Sequence, residues 1–235
     1  MRREKVFQII DKLIHWVADF KVIGQKNVPS SGEPALVVIS HISRLDTPFV
    51  MLAGGRLDVT PMVAREYKNT FFIGWILNLL EVVWITRGAY DFEAFREAKA
   101  YLNKGWIVGL APEGTRSRDN KLHEGKPGSA LLAYKMGVPL VPAAVTGTDQ
   151  MSRAFSRLRK MKVCVEFGKP FRLPEREGTE NKVWLKTATD EIMCHIAALL
   201  PPERRGFYAD YPRVQELLAM KEESSLAEEV TGDPT

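Results

Sequence analysis

Two patterns of apolar and polar positions alternate along this chain. Short, mostly apolar runs bounded by turn formers return at residues 20–24, 34–39, 57–63, 82–85, 106–110, 138–145 and 163–167. Runs of this length, several rich in β-branched residues, predict strands, some buried on both faces. Between them, apolar residues at helical spacing predict helices over 4–20, 47–53, 65–80, 91–103, 129–136 and 179–200, with a turn or two at 214–220. Gly54-Gly55, Lys104-Gly105, Gly137 and Pro201-Pro202 stop four of them. Strands alternating with helices predict one α/β domain with a twisted, mostly parallel or mixed sheet flanked by helices.

Two strands carry prolines. Pro61 either weakens the strand at 57–63 or places it at an edge, and Pro139 and Pro142 predict hydrogen bonding on one side only for 138–145. The helix at 65–80 is unusually aromatic (Tyr67, Phe71, Phe72, Trp75). Burial in the core is the expected arrangement, and a surface that receives an acyl chain is the alternative. The first helix has a stripe of Val6, Ile9, Ile10, Leu13 and Val17, widened by Phe7, Ile14, Trp16 and Phe20, with Arg2, Arg3, Lys5 and Lys12 on its flank. That pattern suits packing on the domain or lying in a membrane interface. The chain therefore divides into an amphipathic helix (1–20), an α/β domain (21–220) and an acidic tail (221–235) expected to be flexible.

Composition narrows the classes without naming one. Hydrophobic residues make up 45% and charged residues 26%, ordinary for a soluble protein, and the net charge of +4 favours anionic partners. Cys164 and Cys194 form neither a disulfide framework nor part of a metal-ligand cluster, which fits a reducing, intracellular compartment. The amino terminus does not read as a signal peptide. The longest apolar stretch, 71–85, contains Asn78 and Glu81 and is shorter than the roughly 20 residues of a membrane span. The expectation is a protein that does not cross a bilayer, with lying on one left open. The basic stretch Arg153, Arg157, Arg159, Lys160 and Lys162 lacks a nucleic-acid motif and suits an anionic partner.

Three of the predicted strands end in polar signatures: His41 followed by Asp46, Thr86-Arg87-Gly88, and Glu113-Gly114-Thr115-Arg116. Side by side, they would gather a candidate base, two arginines and a Gly-Thr turn at one sheet edge, where open α/β folds keep their ligands. A turn can fold Asp46 back onto His41 and fix its tautomer, the orienting logic of a general base. Asp46 before Thr47-Pro48 is equally a helix N-cap, and His41 alone could be an ordinary loop histidine. Arginine forks match phosphate, although ion pairing at strand ends is the plain alternative for Arg87 and Arg116. Glu113 suits an ion pair or a substrate hydroxyl. There is no Gly-x-Ser-x-Gly elbow, P-loop or dinucleotide fingerprint. His15, His123 and His195 offer no second catalytic histidine. One base without a protein nucleophile points to direct transfer to a bound hydroxyl.

His41-x4-Asp46, Ile85-Thr86-Arg87, Pro112-Glu113-Gly114-Thr115-Arg116-Ser117 and Val138-Pro139-Leu140-Val141-Pro142 stand in the order and spacing of the four blocks of the glycerolipid acyltransferases. Residues 34–170 resemble most closely the PlsC-type lysophosphatidic acid acyltransferases. The resemblance implies acyl transfer from a thioester, on coenzyme A or acyl carrier protein, to the free hydroxyl of a lysophospholipid. No other cofactor and no metal are implied. His41 would be the base, Asp46 its orienting carboxylate, and Arg87, Glu113, Gly114, Thr115 and Arg116 the glycerol phosphate site. Pro142 would serve the acyl donor or the structure. Ser40, Thr86 and Ala111 depart from the asparagine, aspartate and aromatic residue common at those places, which bears on the identity of the acceptor. The family fold implies that residues 1–20 dock on the cytoplasmic face of a membrane carrying anionic lipid.

Overall fold

The computed structural model describes residues 3–87, 91–151, 159–176 and 181–231. Seven strands form one sheet: β1 (Ala18–Ile23), β2 (Ala35–Ile39), β3 (Val59–Ala64), β4 (Val83–Ile85), β5 (Ile107–Leu110), β6 (Leu140–Thr146) and β7 (Met161–Phe167). Their order is β1-β7-β6-β2-β5-β3-β4. Every neighbouring pair is parallel except β6 with β7.

Helices cover both faces, because each strand must bury two sides. On one face lie α1 (Arg3–Val17), α2 (Asp46–Ala53) and α3 (Phe71–Leu79). On the other lie α4 (Phe92–Asn103), α5 (Gly128–Met136), α6 (Asn181–Ala197) and the start of α7 (Pro212–Thr231). The strand β2 runs through the middle with all five residues buried. Val37 and Ile39 face the first layer; Leu36 and Val38 face the second. This alternation follows from the two-residue period of a strand. The segment after β2 is thereby delivered to the carboxyl edge, between the ends of β5 and β6.

Both proline expectations are corrected, for one reason. β3 is internal. Residues 59–61 pair with β5 and residues 62–64 with β4, so Pro61 stands where one ladder ends and the next begins. β6 is paired on both sides. Pro142 is matched to Val38 of β2 and precedes the first β7 pair, Ala143 with Phe167. A missing N–H is tolerated where a strand changes partner.

Three further expectations change. The helix expected at 65–80 begins at Phe71, after a single 3-10 turn at Arg65–Tyr67. Within α3 only Gly74 is buried, and Phe71 is 96% exposed, so the core-helix arrangement does not hold. The one or two turns expected at 214–220 belong to a longer helix, Pro212–Thr231. Arg3 leaves the basic flank of α1. Its guanidinium turns inward, donating to the carbonyls of Leu57, Val59 and Leu80 and lying over the rings of Phe7 and Trp106. Arg153 and Arg157 of the basic stretch lie outside the described residues, as does Gly88.

Candidate functional site

The loop from Ser40 to Leu45 and the first turn of α2 form the centre of the site. Asp46 is 1% exposed, and its carboxylate folds backward instead of capping α2. Oδ2 accepts the amides of Ile42 at 2.7 Å and Ser43 at 2.6 Å. Oδ1 accepts the hydroxyl of Thr148 at 2.6 Å. His41 Nδ1 stands 3.4 Å from Oδ2. That separation is longer than a formed hydrogen bond, and Nδ1 is buried with no other partner. The acid therefore sits beside one ring nitrogen, leaving Nε2 as the nitrogen free for proton transfer.

The next strand end holds the same loop. Glu113, 2% exposed, follows β5 and accepts the His41 amide on Oε1 at 3.2 Å and the His123 amide on Oε2 at 2.9 Å. Ser117 N–H donates to the His41 carbonyl at 2.8 Å. Burial pushes the Glu113 pKa up, against the pull of the two amides. Gly114, at φ +67°, turns the chain sharply; a side chain there would meet Lys126, whose Cδ lies 3.0 Å from the position a Cβ would take. Thr115 is exposed and Arg116 half-buried. Among the described residues, the Arg116 guanidinium and the Lys126 ammonium have no ion-pair partner, so two cations beside the Gly114 turn are available to an anion.

Arg87 is placed differently. It lies on the same carboxyl edge, but β4 is three strand spacings from β2, roughly 14 Å. Its guanidinium pairs with Glu66 at 3.3 Å. Pro142 is buried within the sheet; a Cβ on Gly168 would stand 2.8 Å from its ring. His123 is exposed, with its ring nitrogen 2.8 Å from Asp119. Three residues escaped the sequence reading: Thr148, Lys126, and Arg44, whose guanidinium lies 5.8 Å from the Tyr67 ring centre. For Thr148 the available signal was Gly147-Thr148 closing a strand.

An apolar cavity opens beside His41, under the sheet on the α2 face. Ile39, Val50, Met51, Val59, Pro61 and Gly109 are among its lining residues. Alternation sets this: odd-numbered residues of β2 and β5 share the face from which His41 projects.

The acyltransferase family model matches residues 19–146. A probable 1-acyl-sn-glycerol-3-phosphate acyltransferase of Mycoplasma genitalium is 28% identical over 166 residues, 68% of this chain and 61% of that protein. The chloroplastic 1-acyl-sn-glycerol-3-phosphate acyltransferase of Arabidopsis thaliana is 31% identical over 160 residues, 63% of this chain and 43% of that one. The chain thus aligns with less than two thirds of the length of either relative. The crystal structure of PlsC from Thermotoga maritima, a 1-acyl-sn-glycerophosphate acyltransferase, superposes with a TM-score of 0.59 at 25% identity, covering 81% of this chain and 79% of that one. With the family model spanning more than half of its residues and the sheet matching that of PlsC, this chain belongs to the acyltransferase family.

Proposed function

We propose that this protein transfers a fatty acyl group from an acyl thioester to the free hydroxyl of 1-acyl-sn-glycerol-3-phosphate, giving phosphatidic acid and a thiol. The carrying observation is His41, backed by a buried carboxylate, at the mouth of an apolar cavity and one strand away from an arginine, Arg116, with no ion-pair partner among the described residues. In this reading Nε2 takes the proton of the acceptor hydroxyl as its oxygen attacks the thioester carbonyl. Asp46 steadies the imidazolium that forms. Collapse of the tetrahedral intermediate breaks the C–S bond, and the proton passes from His41 to the departing thiolate. Arg116, two residues beyond the Gly114 turn that Lys126 approaches, holds the acceptor phosphate. The cavity takes the acyl chain of the donor, carried on coenzyme A or acyl carrier protein. The chemistry calls for no other cofactor, since the thioester already supplies a good leaving group.

The membrane supplies the acceptor. No helix among the described residues is long and apolar enough to cross a bilayer. Ile9, Leu13 and Trp16 of α1 and Phe71, Phe72 and Trp75 of α3 are exposed. Lys5, Lys12 and Lys68 are exposed on or next to the same helices, a combination that suits an anionic cytoplasmic leaflet. The phosphorylated acceptor is favoured over an unphosphorylated one by Arg116, which has no ion-pair partner among the described residues.

Thiol release from acyl-coenzyme A with lysophosphatidic acid in vesicles tests the reading. His41→Ala is expected to lower kcat by at least 10³-fold, on the scale of losing a general base. Equal rates for wild type and variant would leave a lipid-binding protein without turnover. Faster reaction with an unphosphorylated acceptor would contradict the role given to Arg116.

A further inference from the structure

The loop that carries His41 and Asp46 is held by one buried polar side chain from each neighbouring strand end. β2 lies between β6 and β5. From the β5 side, Glu113 accepts the His41 N–H. From the β6 side, Thr148 donates to Asp46 Oδ1. Both side chains are 2% exposed. Thr148 reaches the carboxylate because Gly147 turns the chain at φ +94°, where a Cβ would collide with the Lys162 carbonyl. The two contacts do different things. Glu113 fixes the backbone that bears the imidazole; Thr148 fixes the rotation of the carboxylate facing it. With Oδ2 bonded to two amides and 3.4 Å from Nδ1, a rotation about the Asp46 side chain would move the acid away from the ring.

We propose that Glu113 and Thr148 are positioning residues for the base, braces that set the 3.4 Å approach of Asp46 to His41, and that Glu113 does not contact the acceptor. This rests on the reading of His41 as the base. Both Glu113 oxygens already accept backbone amides, from His41 and from the start of the 123–126 segment, and little of the side chain meets solvent. A residue that bound glycerol would need a free, outward-facing oxygen. Thr148 belongs to none of the four blocks.

The test compares Thr148→Val, Thr148→Ser and Glu113→Gln with wild type. For each, kcat and KM for lysophosphatidic acid are measured beside the melting temperature of the same sample. Valine keeps the shape and loses the hydroxyl; serine keeps the hydroxyl. Glutamine turns one acceptor into a donor facing an N–H. The expected result is a kcat lowered about 10- to 100-fold in Thr148→Val and Glu113→Gln, the scale of a reacting group displaced by an ångström or less. KM stays within about twofold, and Thr148→Ser recovers most of the rate. A raised KM with unchanged kcat in Glu113→Gln would make it a substrate contact and overturn its half. An unchanged kcat in Thr148→Val, or an equal loss in Thr148→Ser, would overturn the other. Should Thr148→Val not fold, Thr148→Ser still decides: a rate near wild type supports the brace, and a large loss at an unchanged melting temperature rejects it. A wild-type protein with no thiol release would remove the proposed function itself, a different outcome from any of these.

Discussion

Asp46 commits its carboxylate to two amides and one hydroxyl, with the His41 imidazole 3.4 Å away, on a group with almost no solvent contact. A buried charge is stable when it is satisfied in this way, and the same bonds leave it a single orientation. Arg56 solves a similar problem for the fold. It is 9% exposed, bonds Asp58, and donates to the carbonyls of Pro29, Ser30, Glu33 and Gly105, tying three loops at the opposite edge of the sheet. Arg116 is the contrasting case, a half-buried guanidinium with nothing paired to it among the described residues. Arg116→Ala is expected to raise KM for lysophosphatidic acid about 10- to 100-fold, the worth of a charge-assisted contact, with KM for the thioester nearly unchanged. Steady-state kinetics with each substrate varied in turn measures this.

Among the elements, α1 and α3 carry two demands at once. Val6, Phe7 and Ile14 bury one side of α1 against the sheet, and Arg3 clamps its start to the carbonyls of Leu57, Val59 and Leu80. The opposite side, with Trp16 72% exposed, faces outward. α1 is therefore part of the domain and cannot swing as a free arm. α3 turns Ile76, Leu77 and Leu79 inward and leaves its first turn bare. Because β3 is parallel to β2, that first turn stands on the same carboxyl edge as His41. Phe71→Ser with Phe72→Ser is expected to weaken binding to anionic vesicles by at least tenfold without lowering the melting temperature, since neither ring is buried in the free protein. Vesicle co-sedimentation beside a thermal melt checks both halves.

At the scale of the molecule, two apolar layers enclose the sheet, and each layer holds something besides packing. The α2 face contains the cavity. Gly109 lines it, and a Cβ there would lie 3.8 Å from the Pro61 Cα, an ordinary contact. Gly109→Val should fold and shorten the space for a chain, shifting preference toward shorter acyl thioesters in a mixed-donor competition. The other layer is closed by α6 and α7, joined by Glu191, Arg213 and His195. Burial by itself raises the Glu191 pKa, but hydrogen bonds from His195 and Arg213 outweigh it and hold the carboxyl at about 2, below its ordinary 4.5. This contribution is complete above pH 4.5 and is lost as pH falls through about 2. It amounts to on the order of 3 kcal/mol. Glu191→Gln is expected to be less stable at neutral pH and to show a shallower decline in acid; urea unfolding across that range reads the difference.

Local pattern in the chain was enough for the class of fold, the strands and most helices, and the candidates His41, Asp46, Glu113 and Arg116. These depend on local pattern: β-branched runs, helical spacing and short polar signatures at strand ends. What it left open was decided by strand order and by contacts between distant residues. Pro61 and Pro142 read as edge signals because a proline removes a donor, but only the pairing reveals that each lies at a change of partner. Glu113 suits an ion pair or a substrate hydroxyl when read from the chain, and only the tertiary structure shows each of its oxygens accepting an amide; Thr148 stands 102 residues from the carboxylate it holds. Arg87 and Arg116 looked alike in the chain; the sheet separates them by two strands and gives one of them a glutamate. The exposure of α3 was likewise hidden, because apolar periodicity records that a face is apolar and not whether protein or lipid covers it.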